Sequence, residues 1–556
     1  MVTLLHKPWF ADRPVLKRSR QIAGTFSAYG ISAIAQQSGL NRFAWDRRPP
    51  VAPPHSQAER LRLALGELGA TFTKLGQMLS TRGDLVPVEF TRELAKLQDA
   101  APPVALEDVR RTIELSLGAP PEAVFASFDA EPIASASIGQ VHGAVLPDGT
   151  PVVVKVRRPG VLEQVEIDLR IVERIAAWTA AHGTLGEFDL RPLVEEFAYT
   201  IRNELDYVRE GQNADRLRRL FGDDAGVLIP RVHWDYTTTS VLTLDRVHGT
   251  KISDLDALDA LGISRRAIAK NAVRIFLREV LEFGFFHADP HPGNFFVQPD
   301  ASIAIVDFGM VGRVSESLRD HLLRAGLAAR DLDAEALAEE LYALGVAGRR
   351  ANRIALRRDL DHLIGRYGAF TVRELSATTV VEELTSLAFR HRLQLPSELA
   401  LLLRVVSMSE GMGLTLDPDF RYLEFASPIF KRRWAETHSL RATAARLGRA
   451  AVEAAELSTE LPRRASRLVG RLERGELEMN IRHEGLDRFT RAFQSMTNRL
   501  ALAMILSASV VALSVALGVH GLAGIEHYMR WLFGFGFAFS LAFGVWLLTS
   551  IWRSRH

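Results

Sequence analysis

The chain contains no cysteine. Disulfides, thiolate metal sites and a cysteine nucleophile are excluded, which suits the cytosol. Charge of one sign is lacking too: 68 Lys and Arg face 66 Asp and Glu, a formal net charge of +2. No whole-chain field therefore argues for a nucleic-acid partner, and none is expected. The first fifty residues carry Lys7, Arg13, Lys17, Arg18 and Arg20, with no compact apolar core followed by a small-residue cleavage site, so no signal peptide is expected. No repeat recurs at solenoid or propeller periods. What is present is bulk: 556 residues, 47% of them hydrophobic, can bury a large core in more than one structural unit.

Long apolar runs occur only near the C-terminus. Residues 500–519 and 532–551 carry no charge, and about twenty helical residues at roughly 1.5 Å each span a hydrocarbon core. Soluble helices of that length normally keep a polar face, so two membrane helices are expected. Arg491 and Arg499 precede the first and Arg553 and Arg555 follow the second, while the connecting loop has only Arg530. This pattern places both ends on the cytoplasmic side.

Punctuation divides the rest. The RRPPVAPP run at 47–54 is a linker that cannot be helical throughout. Helical text covers 58–79 and returns in RELAKLQD before Ala101-Pro102-Pro103. Short β-rich runs occupy 132–156, where Pro147-Asp148-Gly149 turns VHGAV into VVVKV as a hairpin. From about 254 the text is mostly helical, interrupted by two strand-like runs in FFVQPDASIAIVDF. Residues 431–499 read as a helical connector, solvated or interfacial.

The stretch FFHADPHPGNFFVQPDASIAIVDFG carries the chemistry. His287, Asp289 and Asn294 follow HxDxxxxN, in which the Asp orients an attacking hydroxyl or water and the Asn holds a metal ion. Asp307 in Asp307-Phe308-Gly309 supplies a carboxylate for Mg²⁺ bridging nucleotide phosphates. Asp, Asn, Gly and Pro are also ordinary turn residues, but three such groups in this order, with two strand-like runs between loop and DFG, favour a single site. His287 and His291 have the spacing of a helical zinc pair, yet Pro290 and Pro292 oppose a regular helix there. Upstream, Ala134-Ser135-Ala136-Ser137-Ile138-Gly139-Gln140-Val141 has the spacing of GxGxxGxV, with alanines at the first two glycine positions. Lys155 follows on the next strand, within reach of α and β phosphates. Ala134, Ala136, Ser137, Gly139, Gln140 and Lys155 are thus the expected ATP-binding set, and the alanine methyls should restrict how closely the loop folds over phosphates.

With these motifs in place, residues 58–430 resemble the UbiB family, atypical kinase-like proteins associated with ubiquinone biosynthesis. The most specific marker is Lys74-Leu75-Gly76-Gln77, the KxGQ motif; read alone it is an amphipathic helix with a solvated lysine. The resemblance implies that Lys74 and Gln77 lie over the active site, where an ordinary kinase admits its peptide. Glu204-Leu205-Asp206 resembles the family's ExD motif and implies Glu204 as the partner of Lys155, although Glu163 or Glu166 is nearer the usual spacing and Glu210 and Asn213 lie close by. Gly211 and Asp245 depart from the family pattern. Ala288 stands where HRD has arginine, and no APE follows the DFG, so a peptide-docking activation segment is not expected.

The fold implied is α+β: a bilobal protein-kinase-like fold with an N-terminal helical extension and a C-terminal transmembrane hairpin. The expected layout is 1–55 as N-terminal region and linker, 56–130 as the KxGQ helical extension, 131–250 and 251–430 as the two lobes, 431–499 as connector and 500–551 as the membrane pair. The function implied is a membrane-anchored ATPase using ATP and Mg²⁺ in support of isoprenoid quinone biosynthesis. Its expected place is the bacterial inner membrane, facing the cytoplasm, with a membrane lipid, a quinone precursor or quinone-biosynthesis enzymes as partners. Two alternatives stand: a small-molecule phosphotransferase of the aminoglycoside or choline kinase type, and a non-catalytic lipid- or nucleotide-binding scaffold.

Overall fold

Gly69, at φ +93°, breaks the expected 58–79 helix into α2 (Gln57–Leu68) and α3 (Ala70–Ser80). Such a backbone angle favours glycine, and Ser56 caps the first of the pair by accepting from Glu59 N–H at 3.1 Å. The computed structural model of the chain describes residues 13–30, 56–97, 101–182, 189–330, 333–344, 353–367 and 376–437 except 392 and 394, with isolated positions beyond. These continuous stretches belong to a compact unit spanning 1–444. The expected linker at 47–54, most of the connector and the two membrane spans lie outside the described residues.

The N-terminal region contributes a helix that the sequence reading did not assign, α1 (Arg13–Ala28). Val15, Ile22 and Phe26 bury with Leu65, Leu68 and Phe72 of α2 and α3. A further helix, α4 (Val88–Leu94), adds Leu94 to this core, and α5 is Leu106–Leu117.

Strands β1 (Ser127–Ser135), β2 (Gly139–Val145) and β3 (Pro151–Arg157) form an antiparallel sheet, in which β2 and β3 are the hairpin that the Pro-Asp-Gly turn predicts. Beyond it come α6 (Val161–His182), α7 (Arg191–Glu204), α8 (Tyr207–Phe221) and the short β4 (Val227–Leu228). The sheet is completed by β5 (Val241–Asp245), in the order β1-β2-β3-β5. Alternation on β3 buries Val152, Val154 and Val156 against Val109 and Ile113 of α5. That pleat leaves Val153 and Lys155 on the other face.

The larger helical portion is built around β6 (Thr250–Lys251), α9 (Arg265–Arg278), β7 (Phe285–His287), β8 (Phe295–Val297), β9 (Ile303–Ile305) and β10 (Val311–Arg313). The expected strand pair in FFVQPDASIAIVDF is β8 and β9, antiparallel with Phe295 opposite Ile305. Helices α10 (Glu316–Arg330), α11 (Ala334–Ala343), α12 (Arg353–Tyr367), α13 (Ala377–Arg390), α14 (Ser397–Leu416) and α15 (Tyr422–Thr437) follow. Phe285, Phe286, Ile303, Ile305 and Phe308 pack with Val273 and Phe276 of α9 and Leu402, Val405 and Leu416 of α14. Among the described residues, α14 alone has the length and apolarity to cross a membrane, and half of its most apolar window is buried in this core.

Candidate active site

Lys155 sits on the cavity face of β3, and its ammonium pairs with Glu210 at 2.7 Å and approaches Asp307 at 3.9 Å. Glu210 is one turn inside α8, which begins where the Asp206 side chain accepts from Val208 N–H. Burial works against the lysine's charge, but the Asp307 and Glu210 carboxylates outweigh it and hold Lys155 protonated. The Tyr207 ring lies 5.2 Å from the same ammonium.

This corrects the pairing expected from the ExD motif. Glu204, on the last turn of α7, instead forms an ion pair with Lys74 of α3. The motif's two acids therefore divide their work, Glu204 tying down α3 and Asp206 starting the helix that delivers Glu210. Glu166, one of the acids at the more usual spacing, pairs with Arg202 at 2.7 Å.

Asp307 follows β9 and is braced from several sides. Its Oδ1 accepts from Gly309 N–H at 2.9 Å, and its carbonyl accepts from His287 Nε2. His287 Nδ1 in turn accepts from Asp289 N–H at 3.2 Å, an arrangement that assigns the proton to Nε2. Burial alone would raise the Asp307 carboxyl; Lys155, the Gly309 N–H, His287 and Lys74 overcome it and bring the group down to about 2. Asn294 donates to the Asp289 carbonyl at 3.2 Å, which leaves its amide oxygen as an acceptor. The loop from 287 to 294 is thus folded on its own hydrogen bonds. His291 belongs to them, accepting from Gly293 N–H at 3.1 Å, and no cluster of three His, Asp or Glu fit for a metal occurs among the described residues.

A cavity of about 1200 Å³ joins these groups: Ala134, Ala136, Gly139, Lys155, Asp289, Asn294, Asp307 and Gln77 all line it. Asp245 lines it as well, accepting from His233 Nε2 at 2.8 Å. Two residues of the expected ATP-binding loop do not line it. Ser137 is half-buried on the loop, and Gln140 is 1% exposed, accepting from Val104 N–H at 3.0 Å and donating to His142. Alternation explains Gln140: its neighbours Gly139 and Val141 face the cavity, so it faces the opposite side of β2.

The loop itself is pinned. Arg158 donates to the Ala136 carbonyl at 2.7 Å, to Ser135 Oγ at 2.8 Å and to the Pro102 carbonyl at 2.7 Å. Gly139 admits no larger side chain, because a Cβ there would strike the Tyr207 hydroxyl and lie 2.8 Å from the Val156 carbonyl.

Lys74 does not line the main cavity. It borders an adjoining space of about 50 Å³ together with Gln77, Glu204 and Arg404. Gln77 borders both spaces and donates to the Leu97 carbonyl at 3.1 Å. Gly76 permits this arrangement, since a Cβ would collide with the Leu97 side chain and crowd Leu65 at 3.1 Å. Two residues escaped the sequence reading. Arg404 reaches Asp289 from α14 at 3.2 Å, and Glu279 supports the His287 N–H at 3.0 Å. A lone Arg in LALLLRVVSM and a Glu inside an apolar helix were the available signals.

The ABC1 atypical kinase-like domain matches residues 96–341, the UbiB helical domain 360–421 and the ABC1/UbiB kinase-like C-terminal domain 484–553. The chain is 37% identical over 465 residues to an uncharacterised protein of Synechocystis sp., covering 82% of this chain and 80% of that one. It is 32% identical over 528 residues to the probable protein kinase UbiB of Xanthomonas euvesicatoria, covering 91% and 94% respectively. Among solved structures, the Mycobacterium tuberculosis protein Rv3197 in complex with erythromycin matches with 25% identity and a TM-score of 0.46, over 66% of this chain and 94% of that one.

Proposed function

The chain belongs to the UbiB/ABC1 family of atypical kinase-like proteins, and from that premise we propose that it is a membrane-anchored, Mg-ATP-dependent ATPase. The observation that carries this reading is the Lys155–Glu210 pair with Asp307 beside it, in one cavity with Asp289 and Asn294. Kinase-type phosphoryl transfer needs a Lys–Glu pair and a DFG carboxylate in place together.

The donor set fits magnesium. Asp307 is held as a carboxylate and Asn294 has a free amide oxygen, so these two would hold the ion, with phosphate and water oxygens completing its shell. When bound, the ion neutralises charge on the nucleotide phosphates. Lys155 contacts the phosphates, the Ala134–Gly139 loop covers them, and Asp289 orients the attacking oxygen. Lys74 and Gln77, held by Glu204 and Leu97, close the acceptor side to proteins, so water is the acceptor. The family resemblance supports isoprenoid quinone biosynthesis as the process served, with a membrane lipid, a quinone precursor or quinone-pathway enzymes as partners. Residues 500–551 are the anchor in the bacterial inner membrane, with the catalytic part on the cytoplasmic side.

Asp307→Asn tests the reading: it removes the charged metal ligand, and Mg²⁺-dependent nucleotide binding and phosphate release should be lost. Unchanged metal dependence and turnover would count against it. A second reading, small-molecule phosphotransfer, draws on one observation. The cavity continues past Asp289 between α4 and α13–α14, where Leu97, Val381, Leu403 and Met408 line it. Phosphorylated product from a panel of small hydroxylated compounds would favour that alternative.

A further inference from the structure

Arg404 enters the site from outside the kinase-type motifs. It lies 115 residues beyond Asp289 in sequence, on α14, yet its Nη2 donates to Asp289 Oδ1 at 3.2 Å. It lines the main cavity with Lys155, Asn294 and Asp307, and also the small space beside Lys74. Its side chain is 22% exposed, and its helix is fixed by Leu402, Val405 and Leu416 in the core. The guanidinium is therefore delivered by a rigid element rather than a loose loop.

The cations that line the cavity toward α4 are exposed and paired, Arg92 with Glu382 at 3.4 Å and Lys96 with Glu93. Lys155 is committed to Glu210 and Asp307, and Lys74 to Glu204. The residue before Asp289 is the buried Ala288, so the catalytic loop brings no guanidinium of its own there. His291 is occupied as a cap. A transferring phosphoryl group spreads negative charge over three oxygens, and a planar guanidinium is suited to meet two of them at once.

We propose that Arg404 is a phosphate-contacting residue supplied in cis by α14. It pairs with Asp289 while nucleotide is absent and turns to the γ-phosphoryl oxygens when ATP binds. The exchange frees the Asp289 carboxylate for the acceptor. The attacking oxygen then bonds to the γ-phosphorus as the bond from that phosphorus to the β,γ-bridging oxygen breaks. The electron pair of the broken bond leaves with ADP, and the proton of the attacking water passes by way of Asp289 to solvent. This inference rests on the nucleotide reading above and adds to it a specific group for the γ-phosphate.

The test compares full-length wild type, Arg404→Ala and Arg404→Lys, each checked for an unchanged thermal midpoint. Cis arginines of this kind contribute about 10³-fold or more to turnover. Arg404→Ala should lower kcat by that order and weaken a non-hydrolysable ATP analogue, while ADP binds within about twofold of wild type, since ADP has no γ-phosphate to contact. Added guanidinium ion should restore part of the turnover of Arg404→Ala, and Arg404→Lys should retain more than the alanine variant. Equal losses for ADP and the ATP analogue, no rescue by guanidinium, or turnover like wild type would overturn the proposal and reduce Arg404 to a brace for Asp289. A wild-type protein that binds no Mg-nucleotide would overturn the nucleotide reading itself, and this proposal with it.

Discussion

Glu279 links protein stability to pH through the scaffold of the site. It opens the π-helical turn Glu279–Phe283 and is 2% exposed. One carboxyl oxygen accepts from His287 N–H, while the other has no hydrogen-bond partner. Burial lifts the group from 4.5 to about 8. The folded state therefore holds a proton that the unfolded state releases above about pH 4.5. A raised folded value means that the stabilisation is complete below the unfolded value and is lost as pH rises through the folded one. Each pH unit in that window costs about 1.4 kcal/mol while the folded group stays protonated, so about 2 kcal/mol is lost between pH 6 and pH 8. Glu279→Gln keeps an oxygen for His287 and cannot ionise. Urea unfolding of both proteins at pH 6, 7 and 8 should show the variant gaining on wild type by about 2 kcal/mol across the series. A constant difference between the two would refute a protonated Glu279.

Other consequences separate the two glutamates and the anchor. Glu210→Gln leaves the half-buried Lys155 without its nearer carboxylate and should cost about 2 kcal/mol of stability together with nucleotide affinity, read by thermal shift with and without Mg-ATP. Glu204→Gln should instead release Lys74, altering turnover while nucleotide binding persists; the reverse pattern in the two variants would reinstate Glu204 as the partner of Lys155. Truncation after Arg499 removes both uncharged runs and should leave a protein extractable by carbonate, whereas carbonate-resistant retention would argue against the membrane pair.

What could be read in advance was whatever depends on local order. The β2–β3 hairpin follows from a Pro-Asp-Gly turn between alternating valines, and the β8–β9 pair from two apolar runs around Pro299-Asp300. Asp289, Asn294 and Asp307 are close in sequence, and the structure brings them to one cavity with Lys155. What escaped depends on long-range packing. Glu204 and Glu210 are six positions apart on either side of a helix break, and only the three-dimensional path sends one to Lys74 and the other to Lys155. Gln140 fits the motif spacing of a nucleotide-site loop, but strand alternation turns it inward to Val104 and His142. Arg404 shows locally only as a lone charge in an apolar helix, and nothing there identifies its partner Asp289, 115 residues away.

On the proposed reading, Lys74, held by Glu204, closes the acceptor side of this kinase-like site, and the γ-phosphoryl group passes to water. The most direct test of that reading follows γ-labelled ATP in the purified full-length protein and in Lys74→Ala. Wild type should show Mg²⁺-dependent release of labelled inorganic phosphate and no labelled protein, with label appearing on the protein itself in Lys74→Ala. Labelled wild-type protein, or a Lys74→Ala variant with wild-type phosphate release and no labelled protein, would contradict it.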